Sequence, residues 1–166
     1  QCDGTLVLSD QNGYPGATRI GGGILLVEGG QAIADGSVVG IDAGATLALG
    51  MNETIGGLNG AGSVALGANT LMVDNASGSS FAGVISGSGG LTKAGAGNLV
   101  LGGANTYGGT TNVLSGTLTS ASNNAIGSGA LAIEGGATVN LAGYNNSFAA
   151  LSGAGAFALG AGTATV

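Results

Sequence analysis

The chain of 166 residues carries 38 Gly against one Pro, 6% charged and 4% aromatic residues, no His and no Trp, and a formal charge of −6. So few ionisable groups leave little for acid–base or nucleophilic chemistry, and an acidic chain is a poor partner for nucleic acid or anionic lipid, which need clustered Lys and Arg. A mean hydropathy of +0.48 is too apolar for a chain that stays solvated, and glycines without a three-residue period exclude collagen.

Taken from the N-terminus, Gln1 follows no charged-then-apolar leader, so the chain is expected to be an excerpt or a processed fragment. Cys2 has no second cysteine to pair with and is expected to be a free thiol or an intermolecular bridge. Short alternating pieces follow. Gly4-Thr5-Leu6-Val7-Leu8, Ile24-Leu25-Leu26-Val27, Thr46-Leu47-Ala48-Leu49 and, later, Thr138-Val139-Asn140-Leu141 read as strands with one buried face. The apolar runs are far too short to cross a bilayer as helices. Gly, Asn, Asp and Ser punctuate the pieces every few residues and supply turn conformations. No apolar stripe keeps a helical period, and Gly costs a helix about 1 kcal/mol per residue relative to Ala.

The chain also repeats itself. Gly4-Thr5-Leu6-Val7-Leu8 returns as Gly97-Asn98-Leu99-Val100-Leu101, and the match runs on through Asn12-Gly13-Tyr14 and Asn105-Thr106-Tyr107, an offset of 93. Ile41 to Leu47 answers Ile133 to Val139 at an offset of 92, and Leu58 to Gly67 answers Leu151 to Gly160 at 93 again. Residues 1–73 and 94–166 are thus read as copies of one unit of about 93 residues, the first complete over 1–93 and the second incomplete, within a single domain over 1–166.

Strands this short are unstable alone and must stack. Three strands and three turns per circuit would use roughly 20 residues. The expectation is therefore an all-β fold, a parallel β-helix (β-solenoid) of about 8 circuits, rising about 40 Å at ~4.8 Å per rung. An antiparallel sandwich or barrel would show clearer two-residue hairpin turns and more aromatic core residues.

The run Gly89-Gly90-Leu91-Thr92-Lys93-Ala94-Gly95-Ala96-Gly97-Asn98-Leu99-Val100-Leu101, continuing through Asn105-Thr106-Tyr107-Gly108-Gly109-Thr110-Thr111 to Gly116-Thr117-Leu118, resembles the passenger-associated transport repeat of Gram-negative autotransporters. Residues 4–25 resemble a degenerate copy that keeps Leu6, Leu8, Asn12, Tyr14, Gly16, Thr18 and Gly23 but has Pro15 in place of a small residue. The resemblance implies a right-handed β-helix exported to the cell surface, and a C-terminal outer-membrane barrel in the parent chain. It also implies a repeat that helps the passenger through the membrane. Residues 160–166 show none of the alternating, aromatic-girdled strands that such a barrel needs.

No catalytic, cofactor or metal residue is assigned. A Ser–His–Asp or Cys–His arrangement has no histidine to use. Carboxylate pairs from Glu28, Asp35 and Asp42 read as solvated turn residues, and Asp42 and Glu134 hold matching positions in the repeat. The Gly-Gly runs lead to no aspartate at calcium-solenoid spacing, zinc has no ligand set, and Lys93 stands on the wrong side of Thr92 for a phosphate loop. Tyr14 and Tyr107 are expected to pack against the turn of their own circuit, Asn12 and Asn105 to form an amide ladder, and Tyr144 to lie in a turn. Asn52, Asn75 and Asn145 open N-x-S/T triplets of little weight.

The preferred function is a non-enzymatic extracellular passenger segment, a surface stalk or adhesin on a Gram-negative cell that aids its own secretion. Its expected partner is a host-surface or matrix ligand, with no nucleic acid and no cofactor. The alternative is a secreted structural protein that stacks head to tail through its solenoid edges into extracellular fibres or biofilm matrix. A third reading, an inert carrier for an enzyme domain elsewhere in the parent, leaves this segment without chemistry.

Overall fold

The computed structural model describes residues 3–166; Cys2 lies outside them. The alternation seen in the sequence becomes strands of two to four residues, and their inward positions are buried while the outward ones are not, as in Thr46–Leu49 and Thr117–Ser120. Every strand pairing is parallel. The chain is an all-β parallel solenoid with three faces.

The first face carries β1 (Thr5–Leu8), β3 (Ile24–Val27), β5 (Thr46–Leu49), β8 (Ser63–Ala65) and β11 (Val84–Ser86), paired in that order. The second carries β6 (Glu53–Ile55), β9 (Leu71–Asp74), β12 (Leu91–Ala94), β14 (Thr111–Val113), β16 (Ala130–Ile133) and β19 (Ala150–Gly153). The third is unbroken, from β2 (Thr18–Ile20) through β4 (Val38–Ile41), β7 (Gly57–Gly60), β10 (Ser79–Phe81), β13 (Asn98–Leu101), β15 (Thr117–Ser120) and β17 (Thr138–Asn140) to β20 (Ala156–Ala158). A two-stranded sheet of β18 (Asn146–Ser147) and β21 (Ala164–Thr165) resumes the first face. Between β11 and β18 that face runs through two circuits without strands, held by Thr106 N–H to Ile85 O at 2.9 Å, Asn105 N–H to Asn124 O at 2.9 Å and Asn124 N–H to Asn145 O at 2.8 Å.

Successive rungs of the first face begin at Thr5, Ile24, Thr46, Ser63 and Val84, so circuits run from 17 to 22 residues. About eight circuits result, as the spacing of turns predicted. The core is a thin column of stacked side chains. Leu25, Leu47, Val64 and Ile85 line one wall, Leu71, Leu91 and Leu131 a second, and Val39, Leu58, Leu99, Leu118 and Val139 the third, all buried. Parallel rungs put like side chains directly over one another, so each wall packs with itself at the spacing of paired strands. At one corner the glycines are obligatory: a Cβ on Gly83 would strike the carbonyl of Gly62, and one on Gly103 that of Gly83. Part of the glycine content is thus the close stacking of corners.

Strands 93 residues apart do not share a face. β1 lies on the first and β13 on the third, β2 on the third and β14 on the second. From β1 the chain returns to the first face four times, at β3, β5, β8 and β11, then passes β12 to reach β13 on the third. The offset is therefore four and two-thirds circuits, and the later strands are turned by two-thirds of a revolution about the axis.

Candidate functional site

Most ionisable side chains lie at or near the surface, but Glu53, Lys93 and Tyr107 are buried. In β12 the alternation Leu91-Thr92-Lys93-Ala94 aims Lys93 into the core, in a column with Ile55 and Val73 on one side and Val113 and Ile133 on the other. Lys93 is fully buried. Its stem continues the aliphatic column, and its ammonium donates to Ala94 O at 2.5 Å, Gly95 O at 2.8 Å and Ser115 O at 3.2 Å. Burial pulls the ammonium below the usual lysine range, and the Asp74 carboxylate opposes this. The lysine ties the corner of its own circuit to the next, a hydrogen-bonded cap over partly buried carbonyls, one of which, Gly95 O, also accepts from the Ser115 hydroxyl at 3.2 Å.

One circuit further on, Asn105 and Tyr107 turn inward and replace the strand of the first face. Asn105 accepts from Ile85 N–H at 2.7 Å through Oδ1 and donates through Nδ2 to Ala125 O, bridging three circuits. The Tyr107 hydroxyl meets Thr111 Oγ1 at 2.8 Å, four residues along the same circuit, and the ring is fully buried. Burial raises the phenol above its usual range, tempered by the Thr111 and Gly127 hydrogen bonds. The next circuit lies on the ring through Gly127, where a Cβ would collide with it.

The same contacts recur 93 residues earlier. Tyr14 meets Thr18 Oγ1 at 2.9 Å, and Asn12 Nδ2 donates to Ala32 O at 3.0 Å. Ala34 stands where Gly127 stands, and Tyr14 remains half-buried. The tyrosines thus bond within their own circuit, as expected. The asparagines, expected to form an amide ladder, do not stack on each other. Each spans to backbone groups of neighbouring circuits, because the offset sets them on different faces.

Glu53 was not singled out by the sequence, yet it is buried at the head of β6. Its carboxylate accepts from Ile33 N–H at 2.9 Å and Ala32 N–H at 3.3 Å. Burial raises the carboxyl above the usual glutamate range, the two N–H groups hold it back, and Asp35 adds to the rise. The signal was present: Glu53-Thr54-Ile55 keeps the strand alternation with Glu53 on the inward side.

The other sequence candidates lie apart. Asp42 accepts from Arg19 Nη2 at 2.7 Å and Nε at 3.2 Å in an exposed pair, and Glu28, Asp35 and Glu134 are exposed. Tyr144 is exposed at a turn. Asn75 is 1% exposed and its Nδ2 donates to Ser77 O, Ser79 Oγ and Asn98 O, so it is closed to modification. Asn52 and Asn145, 93 apart, accept from Thr70 N–H at 2.8 Å and Thr163 N–H at 2.9 Å. Among the described residues no three His, Cys, Asp or Glu side chains gather as a metal site, and no helix is long and apolar enough to cross a membrane.

Two comparisons with known proteins bear on this geometry. The family described as the passenger-associated-transport-repeat matches residues 3–27 and 91–119, the segments that hold Asn12, Tyr14 and Thr18 and, later, Lys93, Asn105, Tyr107 and Thr111. The adhesin BmaC autotransporter of Brucella suis biovar 1 (strain 1330) is 38% identical over 102 residues, which cover 57% of this chain and 3% of that protein. The chain spans a small fraction of that relative's length. No solved structure matches it. With its stacked parallel rungs and its buried Lys, Asn and Tyr, this chain is a β-solenoid in which two segments match the passenger-associated-transport-repeat and a longer stretch is similar to an autotransporter adhesin.

Proposed function

We propose that the chain is a length of a non-enzymatic passenger, carried outside a Gram-negative cell as a stiff stalk with adhesive surface, and that its repeats aid export. The observation that carries this reading is the recurrence of one Asn–Tyr–Thr lock 93 residues apart in a continuous ladder whose bonds reach only the neighbouring circuits. A fold with bonds of that reach can close circuit by circuit as the chain emerges from a narrow pore, each new rung templated by the last. Folding outside then opposes slippage back. In this reading the unit of about 93 residues is the repeating module, and a C-terminal outer-membrane barrel elsewhere in the parent anchors it. The partner is a ligand on a host surface or in its matrix, in keeping with the name of the Brucella relative. What supports the non-enzymatic reading is that the buried ionisable groups are tied up inside the fold, Glu53 and Lys93 by backbone groups and Tyr107 by the Thr111 hydroxyl.

The test is deletion of residues 89–118 from the full-length parent in a Gram-negative host, with surface display read by protease accessibility on intact cells. Display is expected to fall several-fold while the synthesised amount stays constant. Undiminished display rejects the export role. Equal attachment to immobilised matrix proteins by cells with and without the displayed passenger rejects the adhesive one.

A further inference from the structure

Where Asn105 and Tyr107 interrupt the first face, they leave an open recess of about 400 Å³ between β11 and β18, lined by Ala104, Asn105, Thr106, Asn124, Ile126 and Ser128, with Ser147 at its edge. The matching positions of the earlier repeat, Gln11, Asn12, Gly13, Gln31 and Asp35, line a second recess of about 190 Å³ on a different face. The same local architecture has thus produced the same hollow twice. The two have diverged. In the earlier recess Gln11 Nε2 donates to Gln31 Oε1 at 2.7 Å across the opening, and Asp35 places a carboxylate at its edge. In the later one Ala104 and Asn124 leave the opening unbridged, and Ser128 removes the charge.

We propose that the later recess is a binding site for a neutral saccharide unit. Its volume falls within the range of small-molecule sites, about 300–1,000 Å³, and the earlier one falls below it. Its lining has no charged side chain. Thr106, Asn124, Ser128 and Ser147 are exposed and, among the described residues, their side chains are free of internal hydrogen bonds. Together they offer both donors and acceptors, the complement of a sugar's hydroxyls. Ile126, almost wholly buried, closes the bottom of the recess. Asn124 is held at φ +54°, a backbone conformation uncommon outside glycine. An added peptide strand finds no partner here, since the N–H groups of Asn105, Thr106, Asn124 and Ser128 already bond between circuits.

This site deepens the adhesive part of the proposed function, and its test uses the full 166-residue chain in solution, so its failure leaves the export reading standing. The ¹⁵N-labelled chain is titrated separately with galactose, N-acetylglucosamine and lactose. Saturable shifts of the Thr106, Asn124, Ile126 and Ser128 amides are expected, with dissociation constants of about 1 mM or somewhat weaker. The Gln11, Gly13 and Gln31 amides are expected to stay in place. Ser128→Trp, which fills the recess from an exposed position, abolishes the shifts with melting unchanged, and the milder Asn124→Ala weakens binding several-fold. No saturable shift with any of the three sugars, shifts mapping elsewhere, or shifts retained in Ser128→Trp would overturn the assignment.

Discussion

Glu53 and Asn146 lie 93 residues apart, on different faces of the solenoid, and accept the same hydrogen bond: Ile33 N–H donates to Glu53 at 2.9 Å and Ile126 N–H to Asn146 at 3.1 Å. One repeat meets the requirement with a carboxylate and the other with an amide. Only the first titrates.

That difference sets the first prediction. The folded chain holds the Glu53 proton more tightly than the unfolded chain, because burial raises its pKa. The stability it contributes is full below the ordinary glutamate range and is lost as pH rises through the folded value. Urea midpoints of the wild type and Glu53→Gln, compared from about pH 4 to about pH 8, should diverge in favour of the glutamine chain as pH increases. A difference independent of pH contradicts the assignment.

Lys93 gives the opposite slope. Its folded pKa is lowered by burial, so the unfolded chain binds the proton more tightly and stability rises as pH climbs from the folded value towards the ordinary lysine range. Lys93→Met keeps most of the aliphatic volume but removes the ammonium's hydrogen bonds to Ala94 O, Gly95 O and Ser115 O, of which Gly95 O keeps the Ser115 hydroxyl, a loss of about 1–3 kcal/mol at neutral pH. Lys93→Ala also opens a cavity and should lose about 3–5 kcal/mol in all. Both variants should lack the alkaline rise in chemical denaturation.

The Tyr107–Thr111 pair is best read as a cycle. Tyr107→Phe strands a buried threonine hydroxyl and should cost about 1–2 kcal/mol, whereas Tyr107→Phe with Thr111→Val should recover most of that loss. Tyr14→Phe, at the half-buried counterpart, should cost less than half as much. Equal losses at the two tyrosines in thermal or urea unfolding would contradict the burial difference.

Gly127→Ala tests the contact of two circuits. The added methyl meets the Tyr107 ring, and forcing the rungs apart should cost about 1–3 kcal/mol. The methyl also meets the Tyr107 carbonyl oxygen, so pairing it with Tyr107→Ala should relieve only the ring part of the clash, leaving a coupling visible in a double-mutant cycle.

The strand alternation, the turn spacing and the repeat made the solenoid and its number of circuits legible, since inward and outward side chains differ in every second position. The same alternation carried Lys93 and Glu53 inward, yet ionisable residues in turn-rich sequence read as solvated. What bonds Glu53 inside is backbone of another circuit, and Lys93 joins its own corner to the next circuit through Ser115 O, partners invisible to a local pattern. The recess was equally hidden, because its lining comes from segments about 20 residues apart that only stacking brings together.

By itself the amino-acid order determined that this chain coils into short parallel rungs, and that Asn12, Tyr14 and Thr18 are echoed by Asn105, Tyr107 and Thr111. Only the tertiary structure decided where those echoes face. A circuit takes 17 to 22 residues, set by three strands and their corners. An offset of 93 is not a whole number of such circuits, so equivalent side chains are delivered to different sides of the rod.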